Sequence, residues 1–187
     1  MALFDVTPLQ IQAEPSAGGG IGLSSDPGAG AGALHQVLGL LDTTSTIHWV
    51  SDGDWSMHQL LEELLMRMGP SEALISSYAF SELPARKLAD LKASGAITRL
   101  SCIIDSRVDV RSASALSILT NVSDRLKLCQ THAKVTILRN SVGAVAIVIG
   151  SANYTTNKRY EAGLLSTDPE VAGFHAKWIE DELLRAQ

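Results

Sequence analysis

The chain has 187 residues, 45% of them apolar and 19% charged, with a formal net charge of −5. Length and apolar content suffice for one well-buried domain, and two cysteines are too few for a disulfide scaffold. The longest strongly apolar run, Val142 to Ile149, is far short of the roughly 20 residues that span a bilayer, which argues against a membrane-spanning helix.

In chain order, Met1-Ala-Leu-Phe-Asp5 lacks the basic start of a signal peptide, so a cytoplasmic location is expected, with Cys102 and Cys129 reduced. Residues 15 to 33 are too rich in Gly and small residues to bury a core. Residues 1–33 therefore read as a flexible or loosely ordered segment, and 34–187 as the folded domain. A short helix is expected over Leu34 to Leu41 and a strand over Ser45 to Val50. An amphipathic helix follows over Ser56 to Met68, with Asp54 and Ser56 as capping residues and Gly69-Pro70 as its stop.

A strand over Ala73 to Phe80, a helix over Leu83 to Ser94 and a strand over Ile97 to Ile104 continue the pattern. Strand and helix alternate as in an α/β fold with a mixed sheet flanked by helices. A helix near Ser114 to Ser123 and a short strand over Leu126 to Cys129 come next. Thr131 to Leu138 alternates polar and apolar residues, so it reads as a half-buried strand with His132, Lys134 and Thr136 on one face. After a turn at Asn140 to Gly143, Ala144 to Ile149 reads as a buried strand that ends in Gly150-Ser151-Ala152-Asn153. A strand over Glu161 to Ser166 and a helix from Asp168 complete the chain.

An imidazole and an ammonium two residues apart on a strand, with a hydroxyl and an amide at a neighbouring strand end, supply a nucleophile and an anion cradle. The segment resembles the phospholipase D superfamily signature, H-x-K-x4-D followed by G-S-x-N, and Tyr154-Thr155 and Glu161 resemble that family's continuation. The family's aspartate falls on Arg139 here. The resemblance implies a phospholipase D-like fold and a covalent phosphohistidine at His132, with no metal or other cofactor. It implies Lys134 and Asn153 on the nonbridging oxygens, Ser151 as a further donor and Glu161 as the carboxylate that orients a histidine. The mechanism needs two histidines and the chain carries one motif, so a homodimer is expected.

His175 and Lys177 mimic the first half of the motif, but they lie in a helical pattern where a two-residue spacing separates side chains, so no site role is expected of them. His48 and His58 belong to a polar and aromatic cluster that helix capping explains. Charge is unevenly distributed: residues 86–160 hold twelve Lys or Arg against four acids, a net +8, while the remainder carries −13. The basic part carries the motif, which points to nucleic acid as the partner and favours a nuclease. Lys134, Arg139, Asn153, Lys158 and Arg159 are the expected phosphate or nucleic-acid contacts. A catalytically weak or inactive module that binds DNA or RNA is the alternative, and Arg139 is its chief support.

Overall fold

The computed structural model describes Leu34, Leu38 and residues 46–108, 112–156 and 159–185. The Gly-rich segment and Lys158 lie outside the described residues. The elements are β1 (Thr46–Asp52), α1 (Met57–Met68), β2 (Ser71–Ser77), α2 (Glu82–Ala93), β3 (Ile97–Asp105), α3 (Ala113–Val122), β4 (Arg125–Cys129), β5 (Val135–Asn140), β6 (Val145–Gly150), β7 (Tyr160–Ser166) and α4 (Pro169–Leu184). Together they form a mixed seven-stranded sheet in the order β1-β7-β6-β5-β2-β3-β4. β2, β3 and β4 run parallel, and the other pairings are antiparallel.

Helices cover both faces, as the alternation predicts. On one face Leu60, Leu61 and Leu64 of α1, Leu88 of α2 and Leu119 of α3 pack with Leu34, Leu38, Ile75 and Leu100. On the other, Ala172, Ala176 and Ile179 of α4 pack on Leu74, Ile103, Ile137 and Ile147. α1 begins at Ser56, whose backbone N–H donates to the Gln59 side chain at 2.9 Å, so one of the helix's unpaired end groups is satisfied. Asp168 caps α4 by accepting from the Glu170 N–H at 2.8 Å, with Pro169 in the first turn. The far end of α4 is tied down by buried Lys127, whose ammonium donates to the carbonyls of Glu182 and Arg185 at 2.7 and 2.8 Å.

Most strand and helix ends fall close to the expected positions. The exception is the motif strand, which enters the ladder at Val135, not Thr131. The cause lies in the backbone donors: Thr131 N–H goes to the Asp105 carboxylate at 3.3 Å and Ala133 N–H to the Thr131 hydroxyl at 3.2 Å. Those donors are thereby withdrawn from sheet pairing. Val135 then pairs opposite both Ser76 and Ile149.

This topology sends the chemistry to one end of the sheet. β2, β3 and β4 finish there at Ser77, Asp105 and Cys129, β6 finishes there at Gly150, and β5 and β7 start there. Crevices beyond the carboxyl ends of parallel strands are where open α/β sheets place their ligands. Among the described residues no helix is long and apolar enough to cross a membrane.

Candidate active site

His132 sits in the short segment between β4 and β5, exposed to solvent, with its ring tilted against Tyr78 at 4.6 Å between centroids. Lys134 folds back over it. The ammonium donates to the His132 carbonyl at 2.8 Å, contacts the imidazole Nδ1 at 3.2 Å and lies 5.5 Å from the centre of the Tyr78 ring. Burial pulls the Lys134 ammonium below its ordinary pKa, partly offset by the charge of Glu161. A charged ammonium can only donate, so Nδ1 accepts, and a neutral His132 ring in this arrangement carries its proton on Nε2.

The second half of the motif arrives from β6. Gly150 N–H donates to the Lys134 carbonyl at 3.3 Å, which holds the two strand ends side by side. Gly150 has a steric reason to be glycine: a Cβ there would lie 2.7 Å from the Ala162 carbonyl oxygen and 3.0 Å from the Trp49 ring. Gly163 opposite is just as confined, with its Cβ position 2.6 Å from the same ring. Trp49 therefore fills the space that two side chains would have occupied.

Ser151 donates its hydroxyl to Glu161, and the same oxygen accepts the Ala162 N–H at 3.1 Å. Glu161 thus binds Ser151, and the His132 ring is held by Lys134 and Tyr78. Asn153 is oriented from the other side: its Oδ1 accepts from Ala79 N–H at 3.1 Å and from the Ser77 hydroxyl at 3.4 Å. Fixing the carbonyl end leaves the amide NH2 as the outward donor. Tyr154 anchors this loop from beneath, stacked on Phe80 at 4.8 Å and bonded to Thr136 at 2.9 Å, and its burial raises the phenol pKa far above the ordinary value.

His132, Lys134, Gly150 and Ser151 line one groove of about 630 Å³, and His175 and Trp178 of α4 share it. Helical spacing gives His175 no site role, yet α4 brings it to this groove. Trp178 Nε1 donates to its Nδ1 at 3.1 Å, and burial lowers its pKa. Lys177 behaves as the helical spacing predicts, pointing to solvent and pairing with Asp181 at 2.7 Å.

A second cleft, about 460 Å³, adjoins His132 on the β3 and β4 side and is lined by Asp105, Ser106, Arg107, Gln130 and Thr131. The Asp105 carboxylate accepts from Arg107 Nε at 2.7 Å and Nη2 at 3.2 Å. These bonds with Arg107 hold its pKa down to about 2. The guanidinium lies 5.0 Å from the centre of the Tyr78 ring. Sequence reasoning missed Tyr78, Asp105 and Arg107; the only signal available was that Tyr78 lies near the carboxyl end of one expected strand and Asp105 and Arg107 just beyond that of another.

Arg139 is not brought to this constellation. It lies at the opposite end of β5, opposite Glu72, and pairs with Glu180 at 3.1 Å. Seven residues of extended chain separate it from His132, on the order of 20 Å. Register and the Glu180 pair thus hold its guanidinium away from His132, Lys134, Ser151 and Asn153. Arg159 is exposed and adjoins Tyr160, the first residue of β7, at the site's end of the sheet. Of the twelve cations in the basic segment, Arg86, Lys87, Lys92, Arg107, Lys127 and Arg139 each meet an acid, so the cationic surface is smaller than the count suggests.

No family model and no curated protein sequence matches the chain. Solved structures do. NucT from Helicobacter pylori matches with a TM-score of 0.54 at 18% identity, over 73% of this chain and 94% of that one. A polyphosphate kinase from Porphyromonas gingivalis matches with a TM-score of 0.54 at 10% identity, over 79% of this chain and 27% of the kinase. TrmBL2, an archaeal chromatin protein whose structure shows a mode of DNA binding, matches with a TM-score of 0.50 at 14% identity, over 86% of this chain and 60% of its own. At such identities the likeness concerns the fold, and the same sheet carries His132, Lys134, Ser151 and Asn153 at one end. The chain therefore shares its fold, a mixed sheet flanked by helices, with NucT.

Proposed function

We propose that the protein is a phosphodiesterase acting on nucleic acid through a phosphohistidine at His132, with two copies of the chain completing the site. The observation that carries this reading is the convergence of His132 and Lys134 with Ser151 in one groove, beside an Asn153 amide whose carbonyl end is fixed. The ammonium of Lys134 neutralises the nonbridging oxygens and the NH2 of Asn153 donates to them. His132 attacks phosphorus, the bond to the leaving oxygen breaks, and a second imidazole supplies the proton that this oxygen takes up. Water activated by that second imidazole then hydrolyses the phosphohistidine.

Attack through Nε2 requires the ring proton to move to Nδ1, where Lys134 now donates. An arriving phosphate supplies the reason for the move, because it offers the Lys134 ammonium a better acceptor than an imidazole nitrogen. The second histidine is His132 of another copy related by a twofold axis. The DNA binding of TrmBL2, which shares the fold, and the exposed cation at Arg159 support nucleic acid as the substrate class.

A second reading, binding without turnover, draws on one observation: Glu161 accepts from Ser151, so the carboxylate assigned to orient the imidazole is already engaged. One experiment tells the two apart. Single- and double-stranded DNA and RNA are incubated with wild type and His132→Ala in EDTA, with acid quenching to trap phosphoprotein and sedimentation equilibrium for mass. Cleavage and phosphoprotein that vanish in the variant, together with a dimer mass, are expected; retention of nucleic acid without cleavage would replace the enzyme reading with the binding one.

A further inference from the structure

We infer that Arg107 and the cleft it lines with Ser106, Gln130 and Thr131 form a subsite for a backbone phosphate adjacent to the one at His132, so that the site takes a polynucleotide strand in preference to an isolated phosphodiester. The inference rests on the function proposed above and names what lies beside the reacting phosphate.

Three observations carry it. Arg107 is anchored yet presented: its fork holds the Asp105 carboxylate at 2.7 and 3.2 Å, while its side chain remains 59% exposed and that of Asp105 only 1%. Asp105 is also met by the backbone N–H groups of Arg107 and Thr131, at 3.2 and 3.3 Å, so its acceptor sites are filled from within. A buried carboxylate thus serves as a rigid post for an exposed guanidinium. The fork has five donors and the carboxylate engages two through Nε and Nη2, leaving the outer edge as the part that meets solvent.

Next, the guanidinium and the imidazole flank one phenol. Arg107 lies 5.0 Å and His132 4.6 Å from the centre of the Tyr78 ring, so their separation cannot exceed the two distances together. That upper bound keeps the two within reach of neighbouring phosphates on one strand. Finally, the space between them is built for a polar ligand: the cleft of about 460 Å³ is lined by Ser106, Gln130 and Thr131 as well as the ion pair, and it opens onto His132 itself. A site meant for a single small diester has no use for a second fixed cation in an adjoining cleft.

The test uses thymidine oligomers. TpT has one phosphodiester and cannot fill both positions, whereas dT12 can. In the His132→Ala background, which prevents cleavage, Arg107→Gln is expected to weaken dT12 binding at least tenfold at low salt. It should also lower the slope of log K against log salt by roughly 0.7, the value for one phosphate contact on a single strand. In the cleaving protein, Arg107→Gln should reduce kcat/KM for dT12 at least tenfold more than for TpT. Because removing the cation strands a buried carboxylate, Arg107→Gln/Asp105→Asn is measured beside it, with thermal melting to confirm folding, and the same losses are expected.

Unchanged dT12 affinity and salt slope in both folded variants would overturn the subsite, as would equal losses for TpT and dT12. A wild type that binds dT12 but cleaves nothing would remove the enzymatic reading, and the binding arm alone would then decide the fate of the Arg107 subsite.

Discussion

The Ser151 hydroxyl donates to the Glu161 carboxylate while its oxygen accepts the Ala162 N–H at 3.1 Å. The cradle serine is therefore fixed by the residue expected to orient a histidine. If Glu161 acts through Ser151, removing either partner disables the same unit. Glu161→Gln and Ser151→Ala should each lower kcat by roughly 10- to 1,000-fold, and the double variant should be no worse than the more damaged single one. Steady-state kinetics of the three variants check this; additive losses would assign the two residues separate roles.

Gly150 and Gly163 leave no space for a side chain beneath Trp49. Gly150→Ala should cost about 1 to 3 kcal/mol through overpacking and shift the Ser151 backbone with it. Urea denaturation reads the stability, and pairing it with Trp49→Leu, which opens the space, should return part of the loss.

Thr136 and Tyr154 bond to each other at 2.9 Å in the interior. Deleting one hydroxyl leaves the other buried and unpaired, so Thr136→Val or Tyr154→Phe alone should cost about 1 to 3 kcal/mol. Both together should cost less than the sum of the singles, and a double-mutant cycle by chemical denaturation measures the difference.

Asp105 has a folded pKa of about 2, below its ordinary value of 3.8, chiefly because Arg107 donates to it. A carboxylate depressed in the folded state stabilises the protein above its ordinary pKa and loses that contribution as pH falls toward the folded value. Wild type should therefore lose stability more steeply than Asp105→Asn between pH 3.8 and about 2. Unfolding curves across this window show it; parallel pH profiles would mean that the pair contributes nothing to the fold.

Arg139 pairs with Glu180 at 3.1 Å across a partly exposed surface. Arg139→Asp should cost no more than about 1 kcal/mol, the range of exposed pairs, before the repulsion of two facing acids is added. Its effect on cleavage should be small, because β5 carries it away from the site. A change in turnover comparable to that of Lys134→Met would contradict this.

Periodicity made β1 and α1 legible because each has one buried face: β1 alternates exposed and buried residues throughout its length, and α1 keeps Leu60, Leu61, Leu64 and Leu65 at helical spacing. The residues from Thr131 to Lys134 misled, since their alternation is that of a strand while their backbone donors go to Asp105 and Thr131. His132, Lys134, Ser151 and Asn153 were legible as local motifs. Tyr78, Asp105 and Arg107 were not, because their proximity to His132 arises only when β2, β3 and β4 line up in the sheet. His175 was invisible for a similar reason: its place in the groove depends on how α4 crosses the strands, which helical spacing alone does not fix.

The edge strand β1 lies against β7, with Thr46 opposite Ser166. During synthesis β1 therefore emerges long before the strand that completes it, and Ile47 and Trp49 wait without their sheet neighbour. Closing so long a loop is slow relative to forming the local β2, α2 and β3 unit. β7, which carries Glu161, would then be among the last strands to settle. β5 and β6 would be paired before β1 and β7 close the far side of the sheet, so the Ser151–Glu161 bond forms only with that last closure.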